Sequence, residues 1–324
     1  MWTSRHRALR AALVVAALGL VALNVAFAWW GHARFLPAQN TRRAVAQGNG
    51  CVLIIGDSRM VAGIDVAAMQ ESLRGRGMDV CVANAAVGGL PPQGFPIVLR
   101  HMLEQTQPRL VLLGLSGHEL AETGPVTRAQ LAGNGAAMLW WGQWGDSAFL
   151  FPGWPLKHLD DGLVFHLSRV SPLGALASAL WKRAQQLQTA LTTPNEARVD
   201  RNTFGQKADM EALAQAWVHA PPSAPTSARA APPAWWSAFE AQLAERKLPL
   251  AVVRIPMPAA YRAGHPAAVE QLNHLVAGHP GWRFGDLGVL PDGTEEDFPD
   301  GLHLGQHGAS LFSQAIGQFV ADGL

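Results

Sequence analysis

Cys51-Val52-Leu53-Ile54-Ile55-Gly56-Asp57-Ser58-Arg59 opens with five apolar residues, three of them β-branched, and then turns polar at once. An uninterrupted apolar run of this length, bounded by glycine, reads as a strand of a parallel sheet buried on both faces. The polar residues after it fall where the strand gives way to a helix, at the carboxyl end of a sheet, where open α/β folds assemble their sites. Gly56 suits a tight turn there, and the backbone N–H groups at the start of the next helix can meet a developing negative charge. Ser58 is the candidate nucleophile.

Working outward, the pattern repeats. The periodicity predicts a strand over 51–56, a helix over 63–75, a strand over 79–86, a helix over 95–107 and a strand over 109–115. It resumes with a helix from Trp236 to Lys247, a strand at Leu250-Ala251-Val252-Val253-Arg254-Ile255 and a helix over 266–277. A short strand from Trp282 to Leu287 and a closing helix from Ala309 to Val320 complete it. Strictly alternating strands and helices predict an α/β domain with a parallel sheet of about five strands. Between them, residues 120–235 form an insertion, largely helical, with a helix expected from Leu173 to Leu191 and a Pro- and Ala-rich connector from His219 to Pro233. No internal repeat is evident.

Near the end of the chain, Asp300-Gly301-Leu302-His303 places a carboxylate three residues before an imidazole. That spacing lets Asp300 hold the Nδ1–H of His303 and leave Nε2 for a serine, giving a triad in the chain order Ser58, Asp300, His303. Gly-Asp-Ser occurs again at Gly145-Asp146-Ser147, but no strand precedes that copy and it reads as loop.

The 324 residues are 49% hydrophobic and suffice for one large domain with an insertion. With 25 basic and 24 acidic residues and no basic stretch interleaved with aromatics, nothing points to nucleic acid. Residues 11–30, from Ala11 to Trp30, form an apolar run long enough to span the roughly 30 Å hydrocarbon core of a bilayer. Arg5, Arg7 and Arg10 precede it, so the expectation is a basic cytoplasmic segment at 1–10, a signal-anchor helix at 11–30, a linker at 31–50 and an exported domain from 51 to 324. The alternative is a signal peptide cleaved near Ala28, within Ala26-Phe27-Ala28. In a bacterium both alternatives put the domain outside the inner membrane, in the periplasm or beyond.

Other features carry less. His118-Glu119 and Asp160-Asp161 would need to converge to bind a metal, and no metal-ligand spacing supports a site, so none is expected. There is no glycine-rich phosphate loop, and no cofactor is implied. Arg59 either steers an anionic substrate or pairs with a surface acid. Met138-Leu139-Trp140-Trp141-Gly142-Gln143-Trp144, with Phe149, Phe151 and Trp154, either lines an acyl or sugar groove, lies on the membrane surface, or forms a small satellite core.

The two motifs resemble those of the SGNH (GDSL-type) hydrolase superfamily, whose first block is Gly-Asp-Ser and whose last is Asp-x-x-His-Leu, here Gly56 to Ser58 and Asp300 to Leu304. The second block resembles Asn84-Ala85-Ala86-Val87-Gly88-Gly89, where the resemblance implies Gly88 as a backbone donor to the oxyanion. The third, normally Gly-x-Asn, corresponds to Gly114-Leu115-Ser116, followed by Gly117-His118-Glu119. Ser116 stands in the asparagine's place, and the side-chain donor is then the Ser116 hydroxyl, His118, or absent. The resemblance covers Cys51 to Glu119 and Leu250 to the C-terminus. It implies a three-layer α/β/α, flavodoxin-like fold and a site built from Ser58, His303 and Asp300 with Asp57, Arg59, Asn84, Gly88, Ser116 and His118 around them. It also implies neighbouring first and second strands. Cys51 and Cys81, each opening one of those strands, then either form a disulfide or stay as two small buried side chains.

With an N-terminal anchor, the sequence is similar to the membrane-tethered accessory proteins that acylate alginate or teichoic acid beside a multispanning O-acyltransferase. The expected function is therefore O-acetylation of an envelope or secreted polysaccharide through an acyl-Ser58 intermediate. A carbohydrate or lipid esterase is the alternative, and a non-catalytic glycan-binding or assembly component the second.

Overall fold

The computed structural model describes residues 42–120, 141–170 and 232–323 apart from 48, 280, 291 and 292, with isolated positions over 12–26 and 124–138. Five parallel strands form the sheet: β1 (Val52–Ile55), β2 (Val82–Asn84), β3 (Leu110–Leu115), β4 (Leu250–Arg254) and β5 (Arg283–Gly285). Their spatial order is β2-β1-β3-β4-β5, the doubly wound order in which the chain reverses direction across the sheet between β1 and β3. The register pairs Ile54 with Asn84 on one side and Ile55 with Leu113 on the other. The carboxyl ends of the first three strands therefore lie side by side.

Alternation along each strand divides the core in two. Leu53, Ile55, Val111, Leu113 and Val252 face one layer, where they meet Phe95, Val98 and Leu99 of α3 (Phe95–Leu103) and Trp236 and Phe239 of α6 (Ala234–Arg246). Val52, Ile54, Leu110, Leu112, Ala251 and Val253 face the other. There they meet Met69 and Leu73 of α2 (Val66–Gly75) and Phe312, Ile316 and Val320 of α9 (Gln306–Ala321). Both faces are covered, as an all-parallel sheet requires.

The remaining helices are α1 (Ser58–Gly63), α4 (Ser147–Leu150), α5 (Leu159–Val170), α7 (Ala259–Gly264) and α8 (Pro266–Ala277). The helix expected over 63–75 is α2, which starts at Val66 where Asp65 accepts hydrogen bonds from the N–H of Ala67 and Ala68; a separate short helix, α1, capped by Asp57, precedes it. One local expectation needs correction. The Gly145-Asp146-Ser147 copy is helical rather than loop: Asp146 accepts from the Gln143 N–H in a capping box and pairs with Arg100, and Ser147 begins α4.

Of the aromatic stretch, Trp141 and Phe151 join the main core with Phe165 of α5, and Trp154 packs against it. Trp144 is 62% exposed and stacks on His166. This favours core over groove for most of the stretch. The expected helix from Leu173 to Leu191, and the connector from His219 up to residue 231, lie outside the described residues.

So does most of the expected spanning segment. Among the described residues no helix is long and apolar enough to cross a membrane. The described positions in 12–26 are helical, and Val14, Val15, Leu18, Val21 and Leu23 on them are exposed.

Cys51 and Cys81 form a disulfide, with their Cα atoms 4.5 Å apart. It ties the starts of β1 and β2 across 30 residues of chain. Replacing both cysteines by serine is expected to lower unfolding free energy by about 3 kcal/mol through the freed denatured chain, read as a lower urea midpoint with a somewhat steeper slope, because the unbridged denatured chain exposes more surface.

Candidate active site

Ser58 is the first residue of α1, immediately beyond β1, and is half-buried. Its turn is set by Asp57, whose Oδ1 accepts the Arg59 N–H at 2.9 Å as the helix N-cap. At the turn, Gly56 also makes room: a Cβ there would lie 2.4 Å from Met60 Cγ, and one on Gly114 would lie 2.2 Å from Met60 Sδ. The two glycines at the ends of β1 and β3 make room for Met60, which seats α1 against the sheet.

The loop over 294–305 delivers the other two groups. Thr294 and Asp297 form a capping box, the Asp297 carbonyl accepts the Gly305 N–H at 2.8 Å, and Gly301 turns the chain with φ +75°. That turn folds the Asp300 carboxylate back over its own backbone, where Oδ1 accepts from the N–H of Leu302 (3.0 Å) and of His303 (2.7 Å). Its Oδ2 lies 2.9 Å from His303 Nδ1, and His303 Nε2 lies 2.9 Å from Ser58 Oγ. Burial works to raise the Asp300 carboxyl, but the hydrogen bonds and charge of His303 and its backbone hold it below the usual carboxylate range. An ionised carboxylate only accepts, so His303 Nδ1 carries the proton and Nε2 is the acceptor facing the serine hydroxyl. Asp300 is 0% and His303 2% exposed, so this line is shielded from water except at the serine.

Around the serine, the chain after β2 runs beside the Ser58 turn. The Ala85 N–H donates to the Ile54 carbonyl and the Val87 N–H to that of Gly56, which brings half-exposed Gly88 level with the turn. Asn84 does not face it: its Nδ2 donates to the Met60 carbonyl at 3.2 Å and its Oδ1 accepts from the Ala86 N–H at 3.0 Å. Asn84 thus braces β2 against α1.

Arg59 is neither a surface partner nor a steering charge. It is 2% exposed and bridges two carboxylates, those of Asp57 and of Glu119, the latter at 2.5 Å. Its Nη1 also donates to Ser116 Oγ at 2.7 Å and lies 3.2 Å from His118 Nδ1. Ser116 Oγ is in turn 2.6 Å from His118 Nδ1, and Glu119 accepts from the backbone N–H of Ser116 and of Gly117. Burial opposes ionisation of both acids. The Arg59 charge leads in overcoming it for Asp57, and His118 and Arg59 together do so for Glu119; both carboxyls sit below their ordinary range. Their charges in turn raise the Arg59 guanidinium further.

Sequence reasoning passed over Glu119 as an anion partner and Tyr261 altogether. Tyr261 is the chain's one tyrosine, packed into the same cluster and hydrogen-bonded to Ser116, with burial pushing its phenol up to about 12. The only signal for Glu119 was an acid at the end of β3, which by itself could equally cap a turn. Among the described residues no three His, Cys, Asp or Glu side chains gather as for a metal ion. Glu119 is taken by Arg59.

Fold and site together define an α/β protein with a hydrogen-bonded serine, histidine and aspartate at the carboxyl edge of a five-stranded parallel sheet. Compared with known families and curated proteins, the chain matches no family model and no curated protein.

Proposed function

We propose that the chain is an exported, membrane-anchored serine acyl-transfer enzyme of the SGNH (GDSL-type) kind that O-acetylates a cell-envelope or secreted polysaccharide. The observation that carries this reading is the unbroken line from Ser58 Oγ through His303 to Asp300. In the first half-reaction His303 Nε2 takes the hydroxyl proton as Ser58 Oγ bonds to the ester carbonyl carbon. The carbon–oxygen bond to the leaving group then breaks, and the leaving oxygen receives that proton from His303. In the second half a sugar hydroxyl gives its proton to His303, attacks the acyl-serine and regenerates the Ser58 hydroxyl. Asp300, fixed by its backbone hydrogen bonds, orients the ring and stabilises the imidazolium in both halves.

Export is supported by the disulfide, which persists in oxidising compartments, and anchoring by the apolar helical positions near the N-terminus that stand exposed. A membrane-bound O-acyltransferase would be the natural source of acyl groups. An esterase is the second reading: the chemistry of the first half is shared, and only the acceptor differs.

The test supplies the purified protein with an aryl acetate and a panel of neutral and acidic oligosaccharides, followed by mass spectrometry. Acetylated oligosaccharide together with acetyl on the Ser58 peptide is the expected result. Acetate release with no sugar product would favour the esterase, and no acyl-Ser58 under any condition would sink both.

A further inference from the structure

We propose that Arg59 and Glu119 are positioning residues for the serine: their ion pair ties the turn that carries Ser58 to the end of β3 and so fixes where the hydroxyl stands relative to His303. This rests on the serine acyl-transfer reading above. Ser58 opens a helix of six residues, too short to hold its own first turn, and Asp57 caps it through Oδ1. Arg59 grips that cap from the side. Its Nε donates to both Asp57 carboxylate oxygens, at 3.2 and 3.0 Å, and its Nη2 pairs with Oδ2. Asp57 and Arg59 belong to the same turn, however, so by themselves they would move with it.

The anchor is Glu119. Its Oε1 accepts from Arg59 Nη2 at 2.5 Å, and its Oε2 accepts from the backbone N–H of Ser116 at 3.0 Å and of Gly117 at 2.9 Å, just beyond β3. Gly117, at φ +104° and with an added Cβ only 2.1 Å from the Ala268 carbonyl oxygen, lets the chain turn back so that Glu119 reaches those groups. A second hold comes from Ser116, whose Oγ accepts from Arg59 Nη1 at 2.7 Å. The guanidinium therefore joins two carboxylates with separate backbone attachments, one at the end of β1 and one at the end of β3, and its rigid fork sets their separation. His303 is held independently by the 294–305 loop, so the 2.9 Å contact between Ser58 Oγ and His303 Nε2 is a meeting of two separately anchored pieces. The side chains of Arg59 and Glu119 are 2% exposed each and cannot touch a substrate, so an effect of theirs on turnover is exerted through other residues.

The test uses the full chain with p-nitrophenyl acetate as substrate and a fluorophosphonate as label on Ser58, on wild type, Glu119→Gln and Glu119→Asp, at a temperature where each is fully folded. Expected for Glu119→Gln is a kcat about 10- to 100-fold lower with KM little changed, and Ser58 labelling slowed by a similar factor, the scale of loss that a shift of about 1 Å in a reacting group produces. Glu119→Asp, which keeps the charge, should recover part of both. The proton resonance of His303 Nδ1–H should stay downfield in all three, since Asp300 and His303 keep their own hydrogen bonds on the other side of the contact. A double Cys51→Ser, Cys81→Ser variant, weakened at the far ends of β1 and β2, is the control for lost stability and should keep the wild-type kcat.

A folded Glu119→Gln with the wild-type kcat and labelling rate overturns this inference alone, as does an equal loss in the cysteine-free control, which would make turnover follow stability. Disappearance of the His303 resonance in Glu119→Gln would place the damage in the base and overturn it as well. A wild type that neither hydrolyses the ester nor labels at Ser58 overturns the acyl-transfer reading, and this inference with it. Should Glu119→Gln not fold, Glu119→Asp decides: wild-type kcat and labelling overturn the proposal, and a lower kcat at constant KM supports it.

Discussion

Ser58→Ala is expected to abolish covalent labelling by a fluorophosphonate and to cut ester turnover by about 10⁴- to 10⁶-fold, with the melting temperature nearly unchanged. The size of the loss follows from how the three groups depend on one another. His303 Nε2 faces the Ser58 hydroxyl at 2.9 Å, and Asp300, wholly buried, is bound to His303 and its own backbone. Removing the hydroxyl therefore leaves the base with nothing to activate. Stability should be spared because Ser58 is half-buried and α1 is started by Asp57, not by the serine side chain. The matching control is Ser147→Ala. Ser147 also follows Gly-Asp, and its Oγ lies 3.3 Å from His166 Nε2, but it is 1% exposed and donates to the Trp144 carbonyl at 2.7 Å. Labelling at Ser58 should survive that change. Label found on Ser147, or undiminished label in Ser58→Ala, would refute the assignment.

The contrast between those two serines shows what the sequence can and cannot carry. β1 and β3 were legible because both faces of a parallel strand are buried, which forces continuous apolar runs such as Val52-Leu53-Ile54-Ile55. The hydrogen-bonded line of Ser58, His303 and Asp300 was legible because Asp300 and His303 are local in sequence, and Ser58 sits at a strand end, where the topology brings such groups together. The cluster around Arg59 was not legible, since its partners come from Asp57, from the end of β3 about sixty residues on, and from Tyr261 in α7, and no local pattern links them. Gly56 was read only as suiting a turn; the close approach of the Met60 side chain, four residues ahead, adds a constraint that no local pattern shows. The helix expected over 63–75 was legible as α2, whereas the short α1 ahead of it, six residues capped by Asp57, is too brief to leave a periodic signal.

Arg59→Met is expected to lower unfolding free energy by about 5 kcal/mol at neutral pH, the upper end of what breaking a buried ion pair costs, because it strands two carboxylates rather than one. A domain of ordinary stability would lose a third or more of its total, and the melting temperature should fall by roughly 10 °C. The pH dependence separates this cause from lost packing. In wild type Asp57 and Glu119 titrate below their ordinary values, so their contribution is present above the unfolded pKa of each and disappears as pH falls through the lower, folded values. In the variant, Asp57 loses its leading counter-charge and burial reverses the sign there, while Glu119 keeps His118 and the Ser116 and Gly117 N–H donors and rises less. Asp57 then titrates above its unfolded value, so the variant is least penalised below pH 4 and loses stability as pH rises through the raised value. The stability gap between the two proteins should therefore be widest near pH 7 and narrow steadily toward pH 4. Adding Glu119→Gln to Arg59→Met should restore part of the loss at neutral pH and flatten the profile. A gap that stays constant from pH 4 to 8 would mean that Arg59 stabilises the protein by filling space, and that the acids beside it are not held ionised by its charge.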